Sequence, residues 1–127
     1  MGRRARHVAA LLPVAAGILW ACGPSPVPPP GITSGSPLRG AETIERFGCG
    51  SCHVIPGISE AEGDVGPPLT DFGQRKFIAG AVANNEGNLV RWLLDPDAVE
   101  PGTVMPDLGL SEQEAHDVAA YLYSLRR

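Results

Sequence analysis

The sequence predicts an all-α fold, a small helical domain with long Gly/Pro-rich loops. Three observations carry that expectation. Apolar residues recur at helical spacing in three separate segments. A Ser-x-x-Glu capping signature opens the last of them. The intervening stretches 54–66 and 96–110 are rich in Gly and Pro and show no alternating strand pattern.

The first element in the chain reads as an address. Residues 1–7 carry Arg3, Arg4 and Arg6, and residues 8–21 form an apolar run of 14. That is shorter than the roughly 18 residues of a transmembrane helix and has the form of a signal peptide or signal anchor. Ala21 stands directly before Cys22, which resembles the lipobox of bacterial lipoproteins, although Trp20 is larger than the residue usual there. A lipid on Cys22, an uncleaved anchor and a released protein all remain open. Each places the rest of the chain outside the cytoplasm, and the first two hold it at the periplasmic side of a bacterial inner membrane.

Residues 22–38 hold six Pro, three Gly and three Ser among 17. Such a segment buries too little apolar surface to offset its ordering entropy, so it reads as a tether biased towards polyproline II, with a reach on the order of 50 Å.

Residues 39–127 form the domain. Ala41, Ile44 and Phe47 share a face of a first helix over 40–48. Asn84 or Asn85 can cap a second helix through Leu94, with Leu89, Trp92 and Leu93 on one stripe and Pro96 as its stop. Ser111 and Glu114 form the capping box of a third, in which Ala115, Val118, Ala119, Leu122 and Leu125 repeat. Arg126 and Arg127 suit the negative end of its dipole. Beyond residue 21 the chain has six aromatic residues, Phe47, Phe72, Phe77, Trp92, Tyr121 and Tyr123. Long loops and a thin core at this size call for something else at the centre.

Charge narrows the partners. The chain has 10 Lys+Arg against 14 Asp+Glu, a formal charge of −4. Removing residues 1–21 takes away three arginines and no acidic residue, which leaves −7. No basic cluster exists beyond the first residues, which argues against nucleic acid. Glu60, Glu62, Asp64, Asp95, Asp97 and Glu100 favour a partner with a basic patch, or else serve solubility alone.

The chemistry lies in Cys49-Gly50-Ser51-Cys52-His53, the C-x-x-C-H attachment signature of c-type haem. Two thiols three positions apart can reach the two vinyl-derived carbons on one porphyrin edge, and the next residue offers an imidazole to the iron. Zinc would need a second ligand pair, and only Cys22, His7 and the distant His116 remain. A thioredoxin-like dithiol would need a preceding strand, where the pattern is helical. A disulfide would close a very small loop and leave His53 unused. For the sixth iron position, Met105 is the one methionine besides Met1, held in the stiff loop Pro101-Gly102-Thr103-Val104-Met105-Pro106. His116 is the rival, on the solvent side of the last helix.

These residues resemble the class I c-type cytochrome family over most of 39–127. Gly66-Pro67-Pro68-Leu69 matches the family's Gly-Pro-x-Leu stretch. The resemblance implies that the Pro67 carbonyl accepts a hydrogen bond from His53 and that Arg75 neighbours a haem propionate. It also implies that Trp92 stands beside the methionine ligand and that Thr103 donates to a propionate. Trp92 is equally a core residue and Thr103 a turn residue. Asp71 stands where many members have glycine, and residues 39–127 hold no second tryptophan for the propionates. The lead-in to the motif and Pro-Gly-Thr-x-Met-Pro are similar to short tethered cytochromes that accompany bacterial terminal oxidases.

The implied fold is a cytochrome c-like helical domain around one haem c, covalent through Cys49 and Cys52, with His53 and Met105 as iron ligands. The implied function is single-electron transfer with a terminal oxidase or bc-type complex, without catalysis of its own and without a small-molecule substrate. The competing readings are a sensor or peroxidase with an open sixth position, and a haem-bearing subunit fixed within an oxidase complex.

Overall fold

Four helices enclose the domain in the computed structural model, which describes Gly2 and residues 34–126. The signal, the Cys22 site, most of the tether and Arg127 lie outside those residues.

Helix α1 (Pro37–Arg46) begins earlier than its apolar pattern suggests. Ser36 caps it, its Oγ accepting from the Arg39 amide at 3.4 Å. Pro37 sits where its fixed φ suits the first turn and its missing N–H is not needed. Pro37 and Leu38 fall within this helix, because proline is compatible with a helix start as well as with a linker. Ile44 is buried and Phe47 half-buried, as their spacing requires.

After two short 3-10 turns at Cys49–Ser51 and Phe72–Gln74, a two-stranded antiparallel hairpin pairs β1 (Phe77–Ile78) with β2 (Val82–Ala83). An all-α expectation had no place for it. Two-residue strands are too short to show alternation. Helix α2 (Glu86–Leu94) is capped by Asn85, whose Oδ1 accepts from the Asn88 amide at 3.0 Å. Asn84 instead bonds the backbone beside the 3-10 turn at Phe72. Pro96 ends α2 and also opens the short α3 (Pro96–Val99), which Asp95 caps through the Ala98 amide at 3.0 Å. Helix α4 (Glu112–Ser124) carries the full capping box of Ser111 and Glu114, and Arg126 Nε donates to the Tyr123 carbonyl near its C-terminal end. Among the described residues, no helix is long and apolar enough to cross a membrane.

The crossing of α1 and α4 organises the core. Their backbones approach so closely at Gly40 that a Cβ there would lie 2.1 Å from the Asp117 carbonyl oxygen. Beside that contact the Asp117 carboxylate is buried and accepts from the Ser36 amide at 2.7 Å, from Arg39 Nε and Nη2 at 2.8 Å each, and from Gln113 Nε2 at 3.1 Å. Burial works to raise its pKa. The bonds from Arg39, the Ser36 amide and Gln113 outweigh it and hold the carboxyl below its ordinary value. His116 is not the exposed residue its helix position suggests. It is half-buried, with Nδ1 3.0 Å from Glu86 Oε1 and 3.1 Å from Ser34 Oγ, because the segment before α1 and the start of α2 cover that face of α4.

Candidate functional site: an apolar cavity walled by the cysteine motif

The end of α1 delivers the motif. Gly48 turns the chain, and Cys49 to His53 then wind tightly, with the Cys52 and His53 amides both donating to the Cys49 carbonyl at 3.2 and 3.1 Å. That winding brings both thiols and the imidazole to one wall of a cavity of about 440 Å³. No disulfide joins Cys49 and Cys52. Burial pushes the Cys49 thiol up, the opposite of what a reactive dithiol needs.

The loop after the motif folds back and is stitched to it. Gly63 N–H donates to the Gly50 carbonyl at 3.0 Å, Gly66 N–H to Cys52 at 2.8 Å and Leu69 N–H to Val54 at 2.8 Å. His53 Nδ1 lies 2.8 Å from the Pro67 carbonyl oxygen. A carbonyl can only accept, so Nδ1 carries a proton, and in the neutral ring the lone pair is then on Nε2. Residue 66 must be glycine, since a Cβ there would stand 2.3 Å from His53 Cε1 and 2.6 Å from Nδ1. The imidazole is thus fixed in tautomer by one residue and in position by its neighbour.

Met105 reaches the same cavity from the loop after α3. Its amide donates to Thr103 Oγ1 at 3.3 Å, and the turn before it is closed by Gly102 N–H to Asp97 Oδ1 at 2.9 Å. Trp92 and Thr103 line the cavity too, as does Arg75. The eight residues singled out from the sequence therefore converge on one space. His116 is absent from its lining. Two of the eight also make contacts within the protein. The Arg75 guanidinium donates to the Pro68 carbonyl and lies 5.7 Å from the Phe72 ring centroid. Thr103 accepts from Met105.

The sequence reading missed part of the apolar lining, including Phe72, Ile78, Leu89 and Val118. Their pattern marks them as core, and nothing in a single sequence tells a core facing other side chains from one facing a cofactor. It also missed the bond from Tyr123 Oη to Asn84 Oδ1 at 2.6 Å, and those from Asn84 Nδ2 to the Phe72 and Arg75 carbonyls at 3.1 and 3.0 Å. Burial, then Glu86, push the Tyr123 hydroxyl up to about 12, so it stays a donor.

A largely apolar cofactor fits this space. Its volume lies in the range of small-ligand sites. The donor set is two thiols, an imidazole with a free Nε2 and a thioether. Among the described residues, no group of three or more His, Cys, Asp or Glu side chains could hold a metal ion.

Comparison with known proteins agrees. The Cytochrome c family model matches residues 38–126. The chain is 38% identical over 89 residues to cytochrome c oxidase subunit 2 of Alkalihalophilus pseudofirmus, covering 69% of this chain and 25% of that one. It is 36% identical over 89 residues to cytochrome c-552 of Bradyrhizobium diazoefficiens, covering 69% and 73%. The match thus spans about a quarter of the length of the oxidase subunits. In fold it is similar to cytochrome c2 from Paracoccus denitrificans, with TM-score 0.53, 19% identity and coverage of 71% and 95%. It is likewise similar to cytochrome cH from Methylobacterium extorquens, with TM-score 0.54, 23% identity and coverage of 71% and 99%. The chemistry of the cytochrome c family is haem-based electron transfer, and Cys49 and Cys52 are the residues that attach its covalent haem c. The chain belongs to the cytochrome c family.

Proposed function

We propose that the protein is a tethered single-electron carrier with His53 and Met105 as axial ligands, held at the periplasmic side of the inner membrane and exchanging electrons with a terminal oxidase or bc-type complex. The observation that carries this reading is the 2.8 Å contact of His53 Nδ1 with Pro67, beside two cysteines and within a cavity that Met105 also lines. When bound, the haem supplies a one-electron iron couple. The protein's part is positional. Pro67 holds the imidazole tautomer, the apolar lining excludes water, and the Thr103 turn presents the thioether. Thioether ligation and burial both favour ferrous iron, which raises the potential above that of a bis-histidine site.

Met105→Ala tests the reading. Oxidised wild type is expected to show the red charge-transfer band of a sulfur ligand, and the variant to lose it and to bind CO rapidly when reduced. An unchanged spectrum would remove Met105 from the mechanism, and rapid CO binding by wild type would favour the sensor or peroxidase reading.

The acidic residues Glu60, Glu62, Asp64, Asp95, Asp97 and Glu100 are all exposed, which supports a partner with a basic docking patch. Oxidase subunits among the relatives support a terminal oxidase as that partner. The electron-transfer rate should fall as salt rises, and a flat response would exclude charge-steered docking. The same relatives also favour a second reading, a subunit held permanently within the oxidase; co-purification in detergent distinguishes the two.

A further inference from the structure

We propose that Arg75 is a positioning residue for the iron-ligating histidine, acting through the carbonyl of Pro68. This rests on the haem reading of His53 above. The loop that accepts from His53 is chemically unusual. Pro67 and Pro68 have no N–H, so neither can anchor itself by donating a backbone hydrogen bond. The pair is suspended between Gly66 N–H on Cys52 O and Leu69 N–H on Val54 O. Of its two carbonyls, that of Pro67 is taken by His53 Nδ1 and that of Pro68 by the Arg75 guanidinium. Arg75 thus braces the segment whose adjoining carbonyl sets the His53 tautomer.

Arg75 is itself held on both ends. Its guanidinium lies over the Phe72 ring, which makes a T-shaped contact with Tyr123 at 6.0 Å between centroids. Its amide donates to the Phe72 carbonyl at 3.1 Å, and its carbonyl accepts from Asn84 Nδ2. Asn84 is bonded in turn by Tyr123 of α4. A continuous run of contacts therefore leads from α4 through Asn84 and Arg75 to Pro68, Pro67 and His53. A charge placed only to offset a propionate would need neither a stacked ring nor a carbonyl acceptor. A flat, forked guanidinium suits both, and the point charge of lysine does not.

The test uses reduced, haem-loaded, ¹⁵N-labelled protein and follows solvent exchange of the His53 ring N–H by NMR. The Ala119 amide in α4 reports global opening. Arg75→Gln and Arg75→Lys should both speed exchange at His53 by about tenfold, as expected for loss of a charge-assisted bond, with Ala119 unchanged. Unchanged exchange at His53 overturns the proposal, and so does full protection in Arg75→Lys, which would mean that charge alone suffices. An equal rise at Ala119 also overturns it, by showing a general loss of stability. Asn84→Ala keeps the guanidinium and releases the Arg75 main chain. It should give a smaller rise at His53, and no rise would break the link to α4. Because the readout is the ring N–H, it is independent of Met105. A wild-type spectrum without a sulfur ligand would sink the electron-carrier reading and leave this comparison intact.

Discussion

The wall formed by residues 49–69 and the loop formed by residues 100–110 meet the same cavity, yet they are built differently. The wall is cross-linked over distance. Gly63 bonds Gly50, Gly66 bonds Cys52, Leu69 bonds Val54 and His53 bonds Pro67. The loop is held mostly by its own turns, with Thr103 N–H on Glu100, Met105 N–H on Thr103 and Gly109 N–H on Asp107. Val104, next to the methionine, is 81% exposed. Non-local bonds break only when much of the fold opens, whereas local turns open alone. The histidine side is thus rigid, and the methionine side is the one that yields.

The largest effect that would break this comparison is removal of the covalent link. In the doubly substituted Cys49→Ser, Cys52→Ser protein, acid-acetone extraction should leave the polypeptide colourless, and most of the thermal stability should go with the haem. Retention of colour would mean that the wall is not where the haem is attached. Next comes Gly66→Ala. Its Cβ would overlap the His53 ring, at a cost of about 1–3 kcal/mol in denaturant unfolding. No loss would show that the wall can shift after all. The smallest is Thr103→Val, which removes the acceptor of a long 3.3 Å bond in the loop. It should cost about 0.5–1 kcal/mol, and the red band should fade at lower temperature while global unfolding hardly moves. If band and fold are lost together, the loop does not open independently of the wall.

The motif residues were legible because covalent chemistry fixes their spacing. Two thioethers on one porphyrin edge require Cys49 and Cys52 three apart, and Gly66-Pro67 followed from family resemblance. The capping box of α4 was legible because its partners are three residues apart. The hairpin at Phe77 to Ala83 was not, since its strands are two residues long and pair across a turn. Nor was the start of α1, because Pro37 suits a linker and a helix entrance alike. His116 was misplaced because one helix's periodicity cannot know that residues before α1 cover its polar face. Arg75 was matched to a family position, but its acceptor is the carbonyl of a residue seven positions earlier.

By itself, the order of residues determined the cofactor's attachment, the helical segments and the acidic character of the chain, all of which depend on covalent bonds or on neighbours within a few positions. Only the tertiary structure decided the brace on Pro68, the burial of Asp117 and the unequal anchoring of the cavity's two sides. Those depend on which distant groups reach hydrogen-bonding distance, and close packing settles that only once the whole chain has folded.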